Sequence, residues 1–294
     1  LTARGYTIWA EVKVTMKRLG PILFISAVVC VSCTHEDNKK LSPTEDVLRP
    51  SLPPTSSVGL PQTAPTVDAA PAGKCPADMV EVEGDFCPNV DQTCIKVDKS
   101  IHNVNGYAKC DEFAPTKCLS KQRVHMHFCM DRYEWPNKKE ARPLVMLTWN
   151  DMKRECGQIG KRICVDHEWS LACEGPEILP YPYGLVRDAT ACNIDHPQKP
   201  DANINNMSKE NVEYLWQGVS SGSMERCVSP YGVHDMTGNV DESVVNSEGN
   251  PYHSAEMGGH WVKGARNRCR PKTTIHNEDF AFYEIGGRCC KDIK

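Results

Sequence analysis

The stretch Leu147-Thr148-Trp149-Asn150-Asp151-Met152-Lys153-Arg154-Glu155-Cys156-Gly157-Gln158-Ile159-Gly160-Lys161-Arg162-Ile163-Cys164-Val165-Asp166-His167-Glu168-Trp169-Ser170-Leu171-Ala172-Cys173, followed by Tyr181-Pro182-Tyr183-Gly184, carries two short helices. Thr148 with Asp151 three residues on has the form of a capping box and predicts a helix from about Trp149. Gly157 and Gly160 are expected to end it, and Trp149, Met152, Cys156 and Ile159 form its inward face. Asp166 is expected to cap a second helix whose inner face is Trp169, Ala172 and Cys173. Two cysteines 17 residues apart therefore face inward from neighbouring helices, as anchoring points for distant chain.

Outward from that stretch, composition bounds the problem. The chain has 294 residues and a formal net charge of -4. With no basic stripe, a nucleic-acid partner is excluded from the reading. Sixteen cysteines are too many for a reduced compartment, and paired zinc spacings are missing, so disulfides in an oxidising compartment account for them. Residues 1–15 carry no motif and read as lying upstream of the true start at Met16. Met16-Lys17-Arg18 followed by the apolar run 19–31 has the layout of a secretory signal, too short to span a bilayer as a helix. Residues 16–33 end in Cys30-Val31-Ser32-Cys33, which resembles the lipobox of bacterial lipoproteins, although Cys30 stands where leucine is usual. Cys33 is then the expected lipidation site, with plain signal cleavage as the alternative. Acyl chains would anchor the protein to a membrane at about 0.8 kcal/mol per buried methylene. The expected location is the cell envelope, lipid-anchored, on the outer membrane and facing the periplasm or the surface. Residues 34–73, rich in Pro, Ser, Thr and Ala, read as a disordered tether.

The globular part is expected over 74–294. Removing Cys30 and Cys33 leaves an even 14 cysteines. Alternating runs such as Met79 to Phe86 read as strands. Val124-His125-Met126-His127-Phe128-Cys129-Met130 does too, and puts His125 and His127 on one face. Two histidines invite a metal reading, but no third ligand is apparent in sequence, and a solvated strand face is preferred. Residues 185–223 are polar, Asn-rich and without periodicity, so they need a disulfide or a bound ion to hold them. Isolated His167, His234, His253, His260 and His276 read as structural.

Six segments in order resemble the sulfatase-modifying factors, the formylglycine-generating enzyme family. They are Leu147 to Asp151, Gly160 to Trp169, Tyr181 to Gly184, Tyr231 to Glu242, Met257 to Trp261, and Gly286-Gly287-Arg288. The resemblance covers about residues 75 to 294. It implies an α+β fold, irregular, loop-rich and C-type-lectin-like, here disulfide-rich. Matching to the family's disulfides implies the pairs Cys156 with Cys289 and Cys173 with Cys269. Adjacent residues of a strand point to opposite faces, so Cys290 needs a different partner, and Cys164 is the choice.

The family's oxidase activity, which converts a protein cysteine to formylglycine, needs copper(I) held by two thiolates, which suit that soft ion. The family pattern places them as W-x-C-x-x-x-x-C-x-x-x-x-C. The matching segment here, Trp261-Val262-Lys263-Gly264-Ala265-Arg266-Asn267-Arg268-Cys269, is four residues shorter and keeps only the last cysteine. Lys263 stands at the first thiolate position, and an ammonium cannot ligate copper(I). The implied function is that of a pseudoenzyme, a non-catalytic binding or structural module with a protein or glycan ligand. One alternative is an active enzyme of the same superfamily, either an oxygen-dependent oxidoreductase acting on protein cysteine or one with a changed reaction and a relocated metal site; another, by analogy with the lectin-like fold, is a carbohydrate-binding module. The family's calcium sites imply Asn239, Val240 and Glu242 as one ligand set, with Asp241 as a possible addition. Asn193 and Ile194 imply a second, with Asp195 or Asp201 completing it. The first corner also reads as a tight turn at Gly238-Asn239 without an ion.

Overall fold

The computed structural model describes residues 74–99, 109–201 and 203–293, all within one compact unit of the chain. The leader, Cys33 and the tether lie outside the described residues.

Two four-stranded sheets form the frame. In the first the order is β1 (Met79–Phe86), β6 (Val124–Asp131), β12 (Cys289–Asp292) and β7 (Arg162–Ile163), all antiparallel. In the second it is β10 (Lys272–Thr273), β9 (Ser254–Met257), β8 (Asp241–Val245) and β11 (Ile285–Gly286), with β11 parallel to β8. Between β1 and β6 in the chain lie two small ribbons. One pairs β2 (Val90–Asp91) with β5 (Lys117–Cys118), the other β3 (Cys94–Val97) with β4 (Cys110–Phe113). The helices are α1 (Trp149–Gln158), α2 (Asp166–Glu174) and α3 (Lys209–Leu215).

The capping box at Thr148 forms as its residue types require: the Asp151 N–H donates to the Thr148 hydroxyl at 2.9 Å, and the Thr148 N–H donates to the Asp151 carboxylate at 3.1 Å. Trp149, Met152 and Cys156 are buried against Ile163 and Cys289. Ile159 is not on that face: it is the C-cap, beyond the last helical turn, and half-exposed. The cap of α2 also differs from expectation. Val165 is the N-cap and has no side-chain acceptor, so the Glu168 carboxylate reaches back to the Val165 N–H at 2.9 Å. Asp166 lies inside the helix, where its carboxylate takes Lys272 at 2.7 Å and the Ser247 hydroxyl at 3.0 Å. The expected inner face of α2 is fully buried. Trp169, Ala172 and Cys173 join Val80, Val82, Phe128 and Met130 of the first sheet with Val244, Ala255 and Met257 of the second in one core. In the long excursion, α3 was not foreseen. It is one short helix started by the Ser208 hydroxyl, and it buries only Val212 and Leu215, too little periodicity to read in a polar segment.

All 14 cysteines among the described residues are paired. Cys156–Cys289, Cys173–Cys269 and Cys164–Cys290 fasten the C-terminal strand region to α1, α2 and β7. Cys75–Cys129, Cys87–Cys118 and Cys94–Cys110 hold the N-terminal ribbons. Cys192–Cys227 pins the long excursion.

The chain passes from β11 to β12 through Arg288, whose guanidinium is buried between the sheets. It donates to both oxygens of Glu242 at 2.7 and 2.6 Å, and to the carbonyls of Asp131 and His234. Trp169 adds its indole N–H to the same carboxylate at 2.9 Å. Glu134 and Asp235 are buried nearby. Burial, with the Asp235 and Glu242 charges, pushes the Glu134 carboxyl well above its ordinary range. Burial lifts Asp235 to about 6 against the Gly222 N–H and Arg288, which oppose the rise, while Glu242 adds to it.

Two outcomes are expected. Replacing Cys173 and Cys269 together by alanine frees a closed loop of 96 residues and lowers the denaturant-unfolding free energy by about 2–5 kcal/mol; a loss under about 1 kcal/mol in chemical denaturation contradicts this. Asp235 binds its proton more tightly in the folded than in the unfolded chain, so its contribution is present below about pH 4 and is lost as pH rises through about 6. Subtracting the stability curve of Asp235→Asn from that of the wild type should show a decline of about 1–3 kcal/mol between pH 4 and 7. A flat difference curve counts against it.

Candidate functional site

The segment Trp261 to Cys269 is held at both ends. Trp261 is fully buried against Val212, Leu215 and Tyr283, and Cys269 is bonded to Cys173. The loop between them lines, with Gly259 and His260, a cavity of about 220 Å³. Its upstream part is stitched to the Asn-rich excursion: the His196 N–H donates to the Trp261 carbonyl and the Lys263 N–H to the His196 carbonyl, both at 2.9 Å. Its far part is held by Arg187, which donates to the Gly264 carbonyl at 3.0 Å.

Lys263 belongs to a network of ion pairs. Its ammonium is 3.2 Å from Asp98. Asp98 also accepts from Lys109 at 2.8 Å, and Lys109 reaches Asp111 at 3.1 Å and Asp195 at 3.8 Å. Arg187 closes the set with two bonds to Asp195, at 2.8 and 2.9 Å. Lys109 and Arg187 are almost wholly buried. Burial opposes ionisation of Asp195, yet Arg187 and Lys109 hold its carboxyl below the usual range. Ammonium and guanidinium groups have no lone pair to give a metal. The one imidazole on the cavity, His260, is pushed down to about 4 by burial and is neutral at pH 7. With every described cysteine in a disulfide, the loop presents no thiolate to copper(I).

The residues expected to hold calcium meet, but as hydrogen-bond partners. Gly238 and Asn239 form a tight turn with φ of 78° and 55°. A Cβ at Gly238 would come within 2.3 Å of the Asn193 carbonyl and Ile194, so glycine permits the two expected corners to touch. Asn193 donates its amide to the Asn239 side-chain oxygen at 2.9 Å, and the Val219 N–H donates to the same oxygen at 2.8 Å. Asn239 gives its own amide to Glu134 at 2.8 Å, and the Val240 N–H adds a bond to Glu134 at 3.1 Å. Both oxygens of Glu242 are taken by Arg288. Asp241 is paired with Arg266, and Asp195 with Arg187, while Asp201 is exposed. As arranged, Asp195, Asp241 and Glu242 are neutralised by arginines, and the Asn239 oxygen accepts two hydrogen bonds. This set does not fit calcium.

The strand face of His125 and His127 has carboxylates opposite it that the sequence reading did not connect. In the antiparallel register His127 faces Glu83, and His125 faces Asp85. The His127 Nε2 lies 2.7 Å from Glu81, and together Glu81, Glu83 and His127 place three donor atoms within 4.8 Å of one another. The signal was present as two alternating runs, Glu81-x-Glu83-x-Asp85 and His125-x-His127, but their pairing was not.

Comparison with known proteins places this arrangement. The family model for the sulfatase-modifying factor enzyme 1-like domain matches residues 92–293. Inactive C-alpha-formylglycine-generating enzyme 2 of Bos taurus is 27% identical over 159 residues, 50% of this chain and 49% of that protein. The protein of the same name from Mus musculus is 26% identical, over 50% of this chain and 48% of its own length. The chain thus spans about half the length of the curated relatives it matches. Among solved structures, CarF aligns at a TM-score of 0.49 with 15% identity, covering 74% of this chain and 99% of that one. PvdO from Pseudomonas aeruginosa aligns at 0.42 with 16% identity, covering 75% of this chain and 96% of that one. The matched span takes in both inward-facing helices, the Gly238-Asn239 turn, the 261–269 loop and Arg288, and the chain belongs to the FGE-sulfatase family, with a sulfatase-modifying factor enzyme 1-like domain.

Proposed function

We propose that this domain is a non-catalytic binding or structural module, carried by a lipid-anchored protein of the cell envelope. One observation carries the non-catalytic part: Lys263, at the first copper-thiolate position, is tied into ion pairs with Asp98, and all 14 described cysteines are in disulfides. Copper(I) oxidase chemistry needs two soft anionic sulfurs at one point, and the loop offers a cation there. The curated relatives carry the word inactive in their names, which agrees in kind with that reading. The network holds the loop through the Lys263–Asp98 pair and through Arg187 at the Gly264 and Asn267 carbonyls, a property suited to a rigid scaffold or docking face. The anchoring part rests on the signal-like run and on Cys33, with an envelope location following from the lipid.

Alkylation under native conditions followed by intact mass is expected to add nothing to residues 74–294, and copper supply is expected to give no turnover of a cysteine-containing peptide. Two alkylated thiols together with turnover would overturn the proposal in favour of an enzyme with a relocated site. The anchor is tested separately by detergent phase partitioning of the full chain expressed in a Gram-negative host. The wild type should enter the detergent phase and Cys33→Ala should remain in the aqueous phase; equal partitioning removes the lipid.

A further inference from the structure

The solvent face of the β1–β6 pair is built from donors of one kind. Residues alternate across a strand, so Glu81, Glu83 and Asp85 of β1 project to the same side as His125 and His127 of β6, in a register that sets Glu83 opposite His127 and Asp85 opposite His125. The Glu83 carboxylate lies between the two imidazoles. One oxygen is 3.6 Å from His127 Nε2 and the other 3.7 Å from His125 Nε2. Glu81 approaches His127 Nε2 from the other side at 2.7 Å. His125 has its second ring nitrogen, Nδ1, at 3.0 Å from the Asp85 carboxylate, so that Nε2 is left facing Glu83.

We propose that this face binds one divalent transition-metal ion of the zinc class, through His127 Nε2, Glu81 and Glu83, with His125 Nε2 as a further donor and Asp85 as the group that orients it. Zinc takes imidazole nitrogen and carboxylate oxygen at about 2.0–2.2 Å, so donors around one ion sit roughly 3.3–3.6 Å apart. The Glu83 contacts with both histidines are within a few tenths of an ångström of that spacing; the 2.7 Å Glu81–His127 contact is a hydrogen bond that an ion entering among Glu81, Glu83 and His127 would replace. A carboxylate on the far nitrogen of a ligating histidine is the arrangement that fixes its tautomer and raises its basicity. Imidazole donors favour zinc, nickel or copper(II) over calcium or magnesium, which take oxygen alone. Three carboxylates against the Lys74 ammonium, 3.8 Å from Glu81, and the Arg123 guanidinium, which donates to the Asp85 carbonyl at 3.4 Å, leave the face anionic and attractive to a cation.

The donors also sit on a fixed platform. The two strands pair over their full length, and their opposite face is the core of Val80, Val82, Phe128 and Met130. The Cys75–Cys129 disulfide fastens the same ribbon at the position opposite Glu81. A site on paired strands keeps its geometry better than one on a loop. Its position is independent of the 261–269 loop, so it stands whether or not the domain is catalytic.

The test is calorimetric titration of untagged protein with zinc chloride, alongside cobalt(II) as a visible probe. The wild type should take up one ion per chain. His127→Ala should weaken binding by about tenfold or more and remove the cobalt absorption, and Glu81→Gln with Glu83→Gln should do the same. Asp85→Asn, which leaves all the donors in place, should cost about tenfold through loss of orientation. Circular dichroism without metal should be unchanged and the thermal midpoint should move little, because Glu83, Asp85 and His125 are exposed and the half-buried His127 and Glu81 lie outside the apolar core. Absence of saturable uptake overturns the proposal. So does undiminished uptake by a folded His127→Ala protein, which would put the ion elsewhere, or displacement of zinc by equimolar calcium, which would reduce the face to an acidic patch.

Discussion

The Arg288 guanidinium must be held in the middle of the protein, and much of the architecture is the means of doing so. A buried cation is destabilising by several kcal/mol unless each of its donors finds an acceptor and its charge finds a partner. Here the partner is Glu242 on the second sheet, and the remaining donors go to the carbonyls of residues 131 and 132 at the end of β6 and of His234, which packs beside them. Because Arg288 lies between β11 and β12, the same residue closes both sheets as the chain crosses from one to the other. Trp169 of α2 completes the shell of Glu242, which is why a polar indole edge is tolerated in the core. Glu134 and Asp235 add carboxyls to the same interior, and their raised proton affinity comes first from burial, with neighbouring carboxylates adding to it and Arg288 opposing it.

Strands of two residues, as in β2, β5, β7, β10 and β11, supply too little pairing to hold a chain in place. Disulfides take over that task. Two of the seven end directly after Arg288, at Cys289 and Cys290, and a third ties the start of the same C-terminal stretch, at Cys269, to α2. The covalent links and the buried ion pair act on the same joint: cross-links restrict the unfolded chain, and the ion pair specifies which packed arrangement is reached. Adjacent cysteines with partners on two different elements also fix the direction of β12, since its alternate faces are each bonded.

Legibility in the sequence followed the range of the interaction. Thr148 with Asp151 is a contact across one helical turn, and it formed as read. The inner face of α2 was legible from spacing. Two disulfides, Cys156–Cys289 and Cys173–Cys269, were legible through the family resemblance, which supplied the distant partner that local pattern lacks, and Cys164–Cys290 followed from the opposite faces of adjacent strand residues. Asp166 was misassigned because its carboxylate serves Lys272, more than 100 residues away, and no local rule sees that. Ile159 was misassigned because periodicity was extended one residue past the helix end. The fate of the oxidase locus was half legible. Loss of the thiolates could be read from Lys263, but the ion pairs that replace them join residues 98, 109, 187, 195 and 263, which no spacing brings together.

The β1–β6 face shows why a site can be hidden in two plain motifs. A shift of one residue in either strand would send its whole set of side chains to the opposite face, so the histidines and glutamates meet only in the register that exists. That register is not chosen by them. It is chosen on the other face, where Val80 stands opposite Met130 and Val82 opposite Phe128, and where a slip would put carboxylates into the core beside Trp169. The hydrophobic requirement of one face therefore determines the ligand geometry of the other, to which the cross-strand contacts of His127 with Glu81 and His125 with Asp85 add only a small increment. Exchange of any one of them alters the chemistry of the face and leaves the fold intact, so the ribbon is free to vary its binding chemistry on a backbone that the core holds constant.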